Sequence, residues 1–317
     1  MTTKRQKPKL LIICGPTASG KSAFAINIAT NLNGAIINAD SMQIYREIPI
    51  ITASPSIQDK ATIPHYLYNY ISVHEEFSAA RYLTDATIAI KKASDLGLLP
   101  IIVGGTGLYI SALLGRLSHI PHIDQTIRRK ARAAFEQMGR EDFYHNLIKL
   151  DPSSAKLTDA QRMMRSYEVL LQTGHPISYY QNRSGASILD GYDISIIMLQ
   201  PERNFLHQCC KMRFESLIEL GALDEARFMS GVTTSAQKAL GLRELQAYLR
   251  GEISLEDAIN LAIIKTRQYA KRQLTWFNNQ IENKEILEFS STRDFENLID
   301  LARARNHFSI ASQKAMW

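Results

Sequence analysis

The sequence predicts an α/β protein, a doubly wound parallel sheet interrupted by an inserted all-helical domain. Three observations carry this. Lys9–Cys14 is a continuous aliphatic run of strand length, which suits a strand buried on both faces and therefore a parallel sheet. Strand and helix periods then alternate up to Gly115, the order that βαβ units leave in a sequence. From residue 124 to 173 only helical periodicity remains, and strand character returns over residues 192–199.

Each element has its own signal. A helix is expected over residues 21–32, with Phe24, Ile28 and Leu32 on one stripe and Asn33-Gly34 closing it. Residues 35–38 read as the next strand. Ser78 is placed to cap a helix ending near Gly97, and residues 100–103 form another short aliphatic strand. Gly139, Asp151-Pro152 and Gly174 punctuate the helical stretch. Beyond residue 199 the chain is expected to continue as helices. The best marked follows Ser254, an N-cap with Asp257 at the third helical position and a stripe of Leu255, Ala258, Ile259, Ala262 and Ile263. The expected division is a core of residues 1–117 with 191–317 around an inserted domain of residues 118–190.

Composition narrows the class. The chain has 317 residues, 45% hydrophobic and 21% charged, which excludes a wholly disordered, collagen-like or coiled-coil protein. No apolar run approaches the ~18 residues of a membrane span. A basic N-terminus precedes an apolar stretch too short for a secretory signal, so a cytoplasmic location is expected. Three cysteines, two of them adjacent (Cys209, Cys210), make no disulfide framework or zinc pair and are expected reduced and buried. A net charge of +6 is compatible with a phosphate-bearing partner and does not by itself identify one.

Gly15-Pro16-Thr17-Ala18-Ser19-Gly20-Lys21-Ser22 matches G-x-x-x-x-G-K-[S/T], after a strand and before a helix. Glycines there let backbone N–H groups converge on phosphate oxygens, and the helix N-terminus adds a positive dipole end. Lys21 neutralises charge, and the Ser22 hydroxyl can ligate Mg²⁺. The sheet is therefore expected to be P-loop NTPase-like, with either ATP or GTP or a diphosphate compound as ligand. Asp40-Ser41-Met42-Gln43 follows the second strand and should enter the same crevice. Asp40 reads as a general base, a Mg²⁺-linked carboxylate or a helix cap, and the Gln43 amide suits a base edge. Gly104-Gly105-Thr106-Gly107-Leu108-Tyr109 brings a third turn to the crevice, either a tight strand-to-helix turn or, beside the other two motifs, one whose Thr106 hydroxyl touches ligand.

In this order, the three motifs resemble those of the bacterial tRNA dimethylallyltransferases, also called tRNA isopentenyltransferases (the IPP transferase family). The likeness extends through Ile63-Pro64-His65-Tyr66, Gln161-Arg162-Met163-Met164-Arg165, the Arg213-Phe214 helix, Ala239-Leu240-Gly241-Leu242-Arg243-Glu244 and Thr266 to Trp276. The chain departs from the family pattern at Tyr66, Ser54, Leu242 and Ser166-Tyr167.

The resemblance implies transfer of a dimethylallyl group from dimethylallyl diphosphate to the exocyclic amine of the adenosine 3′ to the anticodon. Residues 15–22 would hold the diphosphate, with Lys21, Arg213 and Mg²⁺ on Ser22 stabilising charge as it departs. Asp40 would take the amine proton, with Thr106 beside it. A carboxylate is a weak base, but an adenine amine becomes acidic as its bond to carbon forms. The tRNA anticodon stem-loop would meet Asp40, Ser41, Met42, Gln43 and Thr106 at the crevice. Beyond it lie Arg128, Gln161, Arg162, Met163, Met164, Arg165, Gly241, Arg243, Gln268, Lys271 and Arg272. A monomer is expected.

Two other readings stand beside this one. A P-loop kinase would use Asp40 to abstract a hydroxyl proton, although no strand ends in a second, Walker-B aspartate. A non-catalytic RNA-binding module would keep the loop as a relic, against which intact Lys21, Ser22 and Asp40 argue.

Overall fold

The protein is described by a computed structural model covering residues 7–118, 120, 121, 123–181 and 187–304. Strand β1 (Lys9–Cys14) leads through α1 (Lys21–Asn31) to β2 (Gly34–Asn38). Then come α2 (Ile57–Thr62), β3 (His65–Tyr66), α3 (Ala79–Asp95), β4 (Leu99–Gly104) and α4 (Gly107–Leu113). Helices α5 (Gln125–Leu150), α6 (Ala160–Thr173) and α7 (Ile177–Gln181) precede β5 (Asp193–Pro201). The chain goes on through α8 (Arg203–Glu219), α9 (Ala222–Phe228), α10 (Leu242–Leu249), α11 (Leu255–Gln280), β6 (Glu285–Phe289) and α12 (Thr292–Ala304).

The six strands form one sheet in the order β3-β2-β4-β1-β5-β6, with every pair parallel. β1 is central, and its side chains from Leu10 to Cys14 are buried on both faces, as its unbroken aliphatic run predicts. On one face Leu11, Ile13, Ile36, Ile101, Val103, Ile197 and Leu199 pack with Phe24 and Ile28 of α1 and Phe295 and Leu298 of α12. α3 packs against β2 and β4, contributing buried Tyr82, Ala86 and Ile90. A second core joins Ile44, Tyr45, Ile48 and Ile51 to Phe214, Ala222, Ala226, Leu245 and Ile263, which come from α8 to α11. The expected caps form. Ser78 accepts from the Arg81 N–H, and Ser254 from the Asp257 N–H.

Two strands escaped the sequence reading. β3 is two residues long, too short to show a period, and exists because Ile36 and Ile37 offer a free edge to His65 and Tyr66. Beyond residue 199 only helices were expected, yet β6 extends the sheet along β5. Its Ile286 and Glu288 are exposed while Phe289 is buried, so this edge strand lacks the continuous aliphatic character of the central ones.

The contacts divide the chain into two compact units, Met1–Ile110 with Leu189–Trp317, and Ser111–Ile188. In the second, α5 is broken at Gly139, which sits at φ 73. Phe143 and Leu147 of α5 pack on Met163 of α6. Asp151 accepts from the Ser153 N–H and from the hydroxyls of Ser153, Ser154 and Ser166, which ties the turn at Pro152 to α6. Among the described residues no helix is long and apolar enough to cross a membrane. The basic residues Lys4 and Arg5 at the start of the chain lie outside the described residues.

Candidate active site

The three motifs follow β1, β2 and β4, which are adjacent in the sheet. Register puts Cys14 beside Gly104 and Asn38 beside Val103, so all three loops emerge together at the carboxyl end. Backbone bonds lock them. Ala39 N donates to Val103 O at 2.7 Å, and Thr106 N to Ala39 O at 3.1 Å. A Cβ on Gly104 would stand 2.2 Å from the Ala39 backbone, so this approach demands glycine. Gly15, at φ 147, would put a Cβ 2.6 Å from Leu199 O.

Residues Thr17 to Ala23 line a cavity of about 270 Å³ shared with Asp40, Gln43, Ala53, Cys209 and Arg213. Gly20, left-handed at φ 78, starts α1 and so directs its N-terminal N–H groups at this cavity's edge. Lys21 Nζ donates to Pro16 O at 2.6 Å. Burial pushes the Lys21 ammonium down to about 8, against the pull of Asp40 and with the push of Arg213. Arg213, from α8, donates to Thr17 Oγ1 at 3.0 Å and to Thr52 O at 3.2 Å. Burial also lowers its pKa, but a guanidinium stays charged. The buried Ser19 hydroxyl has no hydrogen-bond partner among the described residues. Two cations, one unpartnered hydroxyl and a helix N-terminus therefore converge where an anion would sit.

Asp40 faces the same cavity. Its Oδ1 accepts from Met42 N at 2.9 Å. Asn38 accepts from Asp40 N at 2.8 Å and donates to Asp40 O and Leu67 O, fixing the aspartate's backbone from both sides. Ser22 is exposed on the first turn of α1 and lines the cavity. Its hydroxyl and the Asp40 carboxylate are hard oxygen donors of the kind Mg²⁺ takes, alongside phosphate and water oxygens. Among the described residues no cluster of three His, Cys, Asp or Glu could build an all-protein metal cage.

The structure gives places to two residues that the sequence shows only within the family likeness. Gln273 of α11 is buried; its Oε1 accepts from Thr17 N at 2.8 Å and its Nε2 donates to Gly105 O at 2.8 Å. It therefore bridges the phosphate loop and the third glycine turn. The signal available was a glutamine in the buried stripe of Thr266, Ala270, Gln273 and Phe277, since a polar side chain on an apolar face needs specific partners. Trp276, one turn on, lies against Gly107, where a Cβ would meet its ring at 2.5 Å.

Some expected roles change. The Thr106 hydroxyl, expected at the ligand, also accepts from Ser41 N at 2.9 Å and donates to Ser41 Oγ. It is a clamp between two motifs. The Gln43 amide donates to Thr52 O at 3.1 Å and Ala53 O at 2.8 Å, which leaves its Oε1 as the group that can read a base. Met42 packs against the second core. Met163 is a core residue rather than an RNA contact, because it fills the space beside Phe143 and Leu147. Gly241 is buried at φ 85 with the Phe214 ring where a Cβ would go, so it serves packing. Gln161, Arg162, Arg243, Gln268, Lys271 and Arg272 are exposed, while Met164 and Arg165 are half-buried. Arg165 pairs with Glu168 at 3.3 Å. Arg128 is half-buried with its Nε enclosed. Gln268 and Lys271 line a second, larger cavity of about 930 Å³ with Arg203, His207 and Arg267. The Arg272 guanidinium lies 5.6 Å from the Tyr269 ring centre. The cysteines are unpaired; Cys14 and Cys210 are buried and Cys209 partly so.

Comparison with known proteins bears on this geometry. The model of the IPP transferase family matches residues 43–280. The chain is 43% identical over 300 residues to a tRNA dimethylallyltransferase of Rickettsia massiliae, covering 92% of this chain and 82% of that one. It is 43% identical over 296 residues to the same enzyme of Rickettsia bellii, covering 92% and 94%. Among solved structures it resembles a eukaryotic dimethylallyltransferase acting on tRNA, with TM-score 0.80 and 29% identity over 94% of this chain and 78% of that one. It also resembles the full-length tRNA isopentenylpyrophosphate transferase of Bacillus halodurans, with TM-score 0.67 and 32% identity over 94% and 95%.

Proposed function

The chain belongs to the IPP transferase family and is a tRNA dimethylallyltransferase, and from that premise we propose how its residues divide the work. The observation that carries the reading is the meeting of Lys21, Arg213 and Asp40 around one cavity floored by a phosphate loop. The donor is dimethylallyl diphosphate, seated on residues 15–22. The acceptor is the exocyclic amine of the adenosine 3′ to the anticodon.

The reaction breaks the bond between the allylic carbon and the diphosphate oxygen and forms one between that carbon and the amine nitrogen. Negative charge grows on the departing diphosphate. Lys21, Arg213, the Ser19 hydroxyl and the N–H groups at the start of α1 oppose it as preorganised donors and charges. The Ser22 hydroxyl would hold Mg²⁺, which when bound adds neutralising charge on the same oxygens. Asp40 accepts the amine proton as the new bond forms, so its weak basicity is matched to a late transfer. Thr106 holds the Asp40-Ser41 turn, and the Gln43 Oε1 accepts from the adenine edge.

An adenine stacked in a loop cannot reach a recessed cavity, so the base must leave the stack. The exposed cations of α11, Lys271 and Arg272, meet tRNA phosphates, with Gln268 beside them; Arg243 does the same from α10. In the helical unit Arg128, Gln161, Arg162, Met164 and Arg165 form the corresponding RNA surface. Such contacts supply affinity and register rather than sequence choice.

The test is to incubate the protein with unmodified tRNA, Mg²⁺ and either ATP or dimethylallyl diphosphate, and weigh the RNA. The expected result is a gain of one five-carbon unit with the prenyl donor only. Consumption of ATP to ADP with no mass gain from the prenyl donor would select a kinase instead.

A further inference from the structure

The turn that receives Arg213 and Gln43 is itself held from outside the cavity. Thr52 O accepts from both Arg213 and Gln43, and Ala53 O accepts from Gln43. These two carbonyls thus aim one cation and one amide of the site. They are presented by a strained backbone, since Ala53 is left-handed at φ 49, a conformation that a residue with a Cβ adopts at a cost. Within the turn, Ala53 N donates to Ile50 O and Ser54 N to Pro49 O.

Glu225 of α9 supplies the external hold. Its Oε1 accepts from Ile50 N and its Oε2 from Ile51 N, both at 2.7 Å. The residue is buried, and Ala226 beside it packs in the cluster that contains Ile51. Burying a carboxylate is costly, and volume alone would be served by a neutral side chain. Two consecutive N–H groups, however, need two acceptor atoms side by side. A carboxylate has them, whereas glutamine offers one acceptor and turns an NH₂ toward the other N–H. Charge-assisted bonds of this length are also stronger than neutral ones.

We propose that Glu225 is a positioning residue for prenyl transfer, fixing the turn at residues 50–53 so that its carbonyls aim Arg213 and Gln43. The inference rests on the reading above, in which Arg213 faces the diphosphate and Gln43 the adenine. Glu225 touches neither substrate; it acts through the backbone between them.

The experiment compares Glu225→Gln, Glu225→Asp, Arg213→Ala and Leu245→Ala in the full chain. Leu245→Ala is a buried truncation in the same core and serves as the stability control. Single-turnover transfer at saturating tRNA, tRNA KM, affinity for inorganic pyrophosphate and thermal midpoint are measured for each. Glu225→Gln is expected to slow single turnover about tenfold and weaken pyrophosphate binding a few-fold, with tRNA KM unchanged. Glu225→Asp, which keeps two acceptors on a shorter arm, should fall between it and the parent. Leu245→Ala should lose thermal midpoint without losing rate. Combined with Gln43→Ala, the Glu225→Gln effect should be less than multiplicative, since both act through the same carbonyls. If Arg213→Ala is slow but Glu225→Gln transfers at the parent rate, the inference fails and the functional reading stands. If Arg213→Ala itself transfers at the parent rate, the underlying reading fails. If Leu245→Ala slows transfer as much as Glu225→Gln, loss of stability explains the effect and the inference is overturned. Should Glu225→Gln not fold, Glu225→Asp is read by the same comparisons.

Discussion

The Lys21 ammonium gives the site a pH dependence whose sign and size follow from its surroundings. Burial lowers it from 10.5 to about 8, so in the free protein it is about nine-tenths charged at pH 7 and about one-tenth charged at pH 9. On the proposed reading dimethylallyl diphosphate binds the charged form, and its own last ionisation lies near 6 as for other phosphate esters, so the ligand's charge is constant over this range. Affinity should therefore be greatest below about pH 8 and be lost as pH rises through it, by about tenfold between pH 7 and pH 9. Lys21→Arg carries a charge that does not titrate there and should flatten the profile whatever its absolute affinity. Calorimetric titration of dimethylallyl diphosphate into the protein without tRNA, at half-unit steps of pH, measures both. Parent affinity that is flat or rising over the window, or an equally steep fall in Lys21→Arg, would refute the assignment of the slope to Lys21.

Three further outcomes are expected. Asp40→Ala should slow single-turnover transfer by roughly 10² to 10⁴, the usual worth of a general base, while tRNA binding persists; a rate within about threefold of the parent would remove Asp40 from the chemistry. Gln273→Leu strands the Thr17 N–H and the Gly105 carbonyl, so it should lower stability by roughly 1–3 kcal/mol for each orphaned group and weaken pyrophosphate binding. An unchanged denaturation midpoint would show that the bridge carries no weight. Lys271→Ala should lower the slope of log affinity against log salt by about 0.7 to 0.9, one phosphate contact, with turnover of bound tRNA unaffected; an unchanged slope with altered turnover would place Lys271 elsewhere than on a phosphate.

Local chemistry determined much of this protein from sequence alone. The aliphatic run of β1, the glycines of the phosphate loop, the caps at Ser78 and Ser254 and the breaks at Gly139 and Gly174 each satisfy a requirement within a few residues, so each is legible in order along the chain. That Asp40, Lys21 and Ser22 share one cavity was legible too, because a strand end fixes where the next residues go. Tertiary structure decided what depends on neighbours distant in sequence. The two-residue β3 needs the free edge of β2, and β6 needs that of β5. Met163 has a residue type that suits an RNA surface, but its thioether fills a helical core, and the bond between Thr106 and Ser41 joins two motifs far apart in sequence. Gln273 showed in the sequence only as a polar residue on a buried stripe, and Glu225 not at all, because their partners lie on other elements, at Thr17 and Gly105 for the first and at Ile50 and Ile51 for the second. A side-chain amide or carboxylate satisfies backbone groups wherever the fold happens to bring them, and sequence spacing carries no record of that distance.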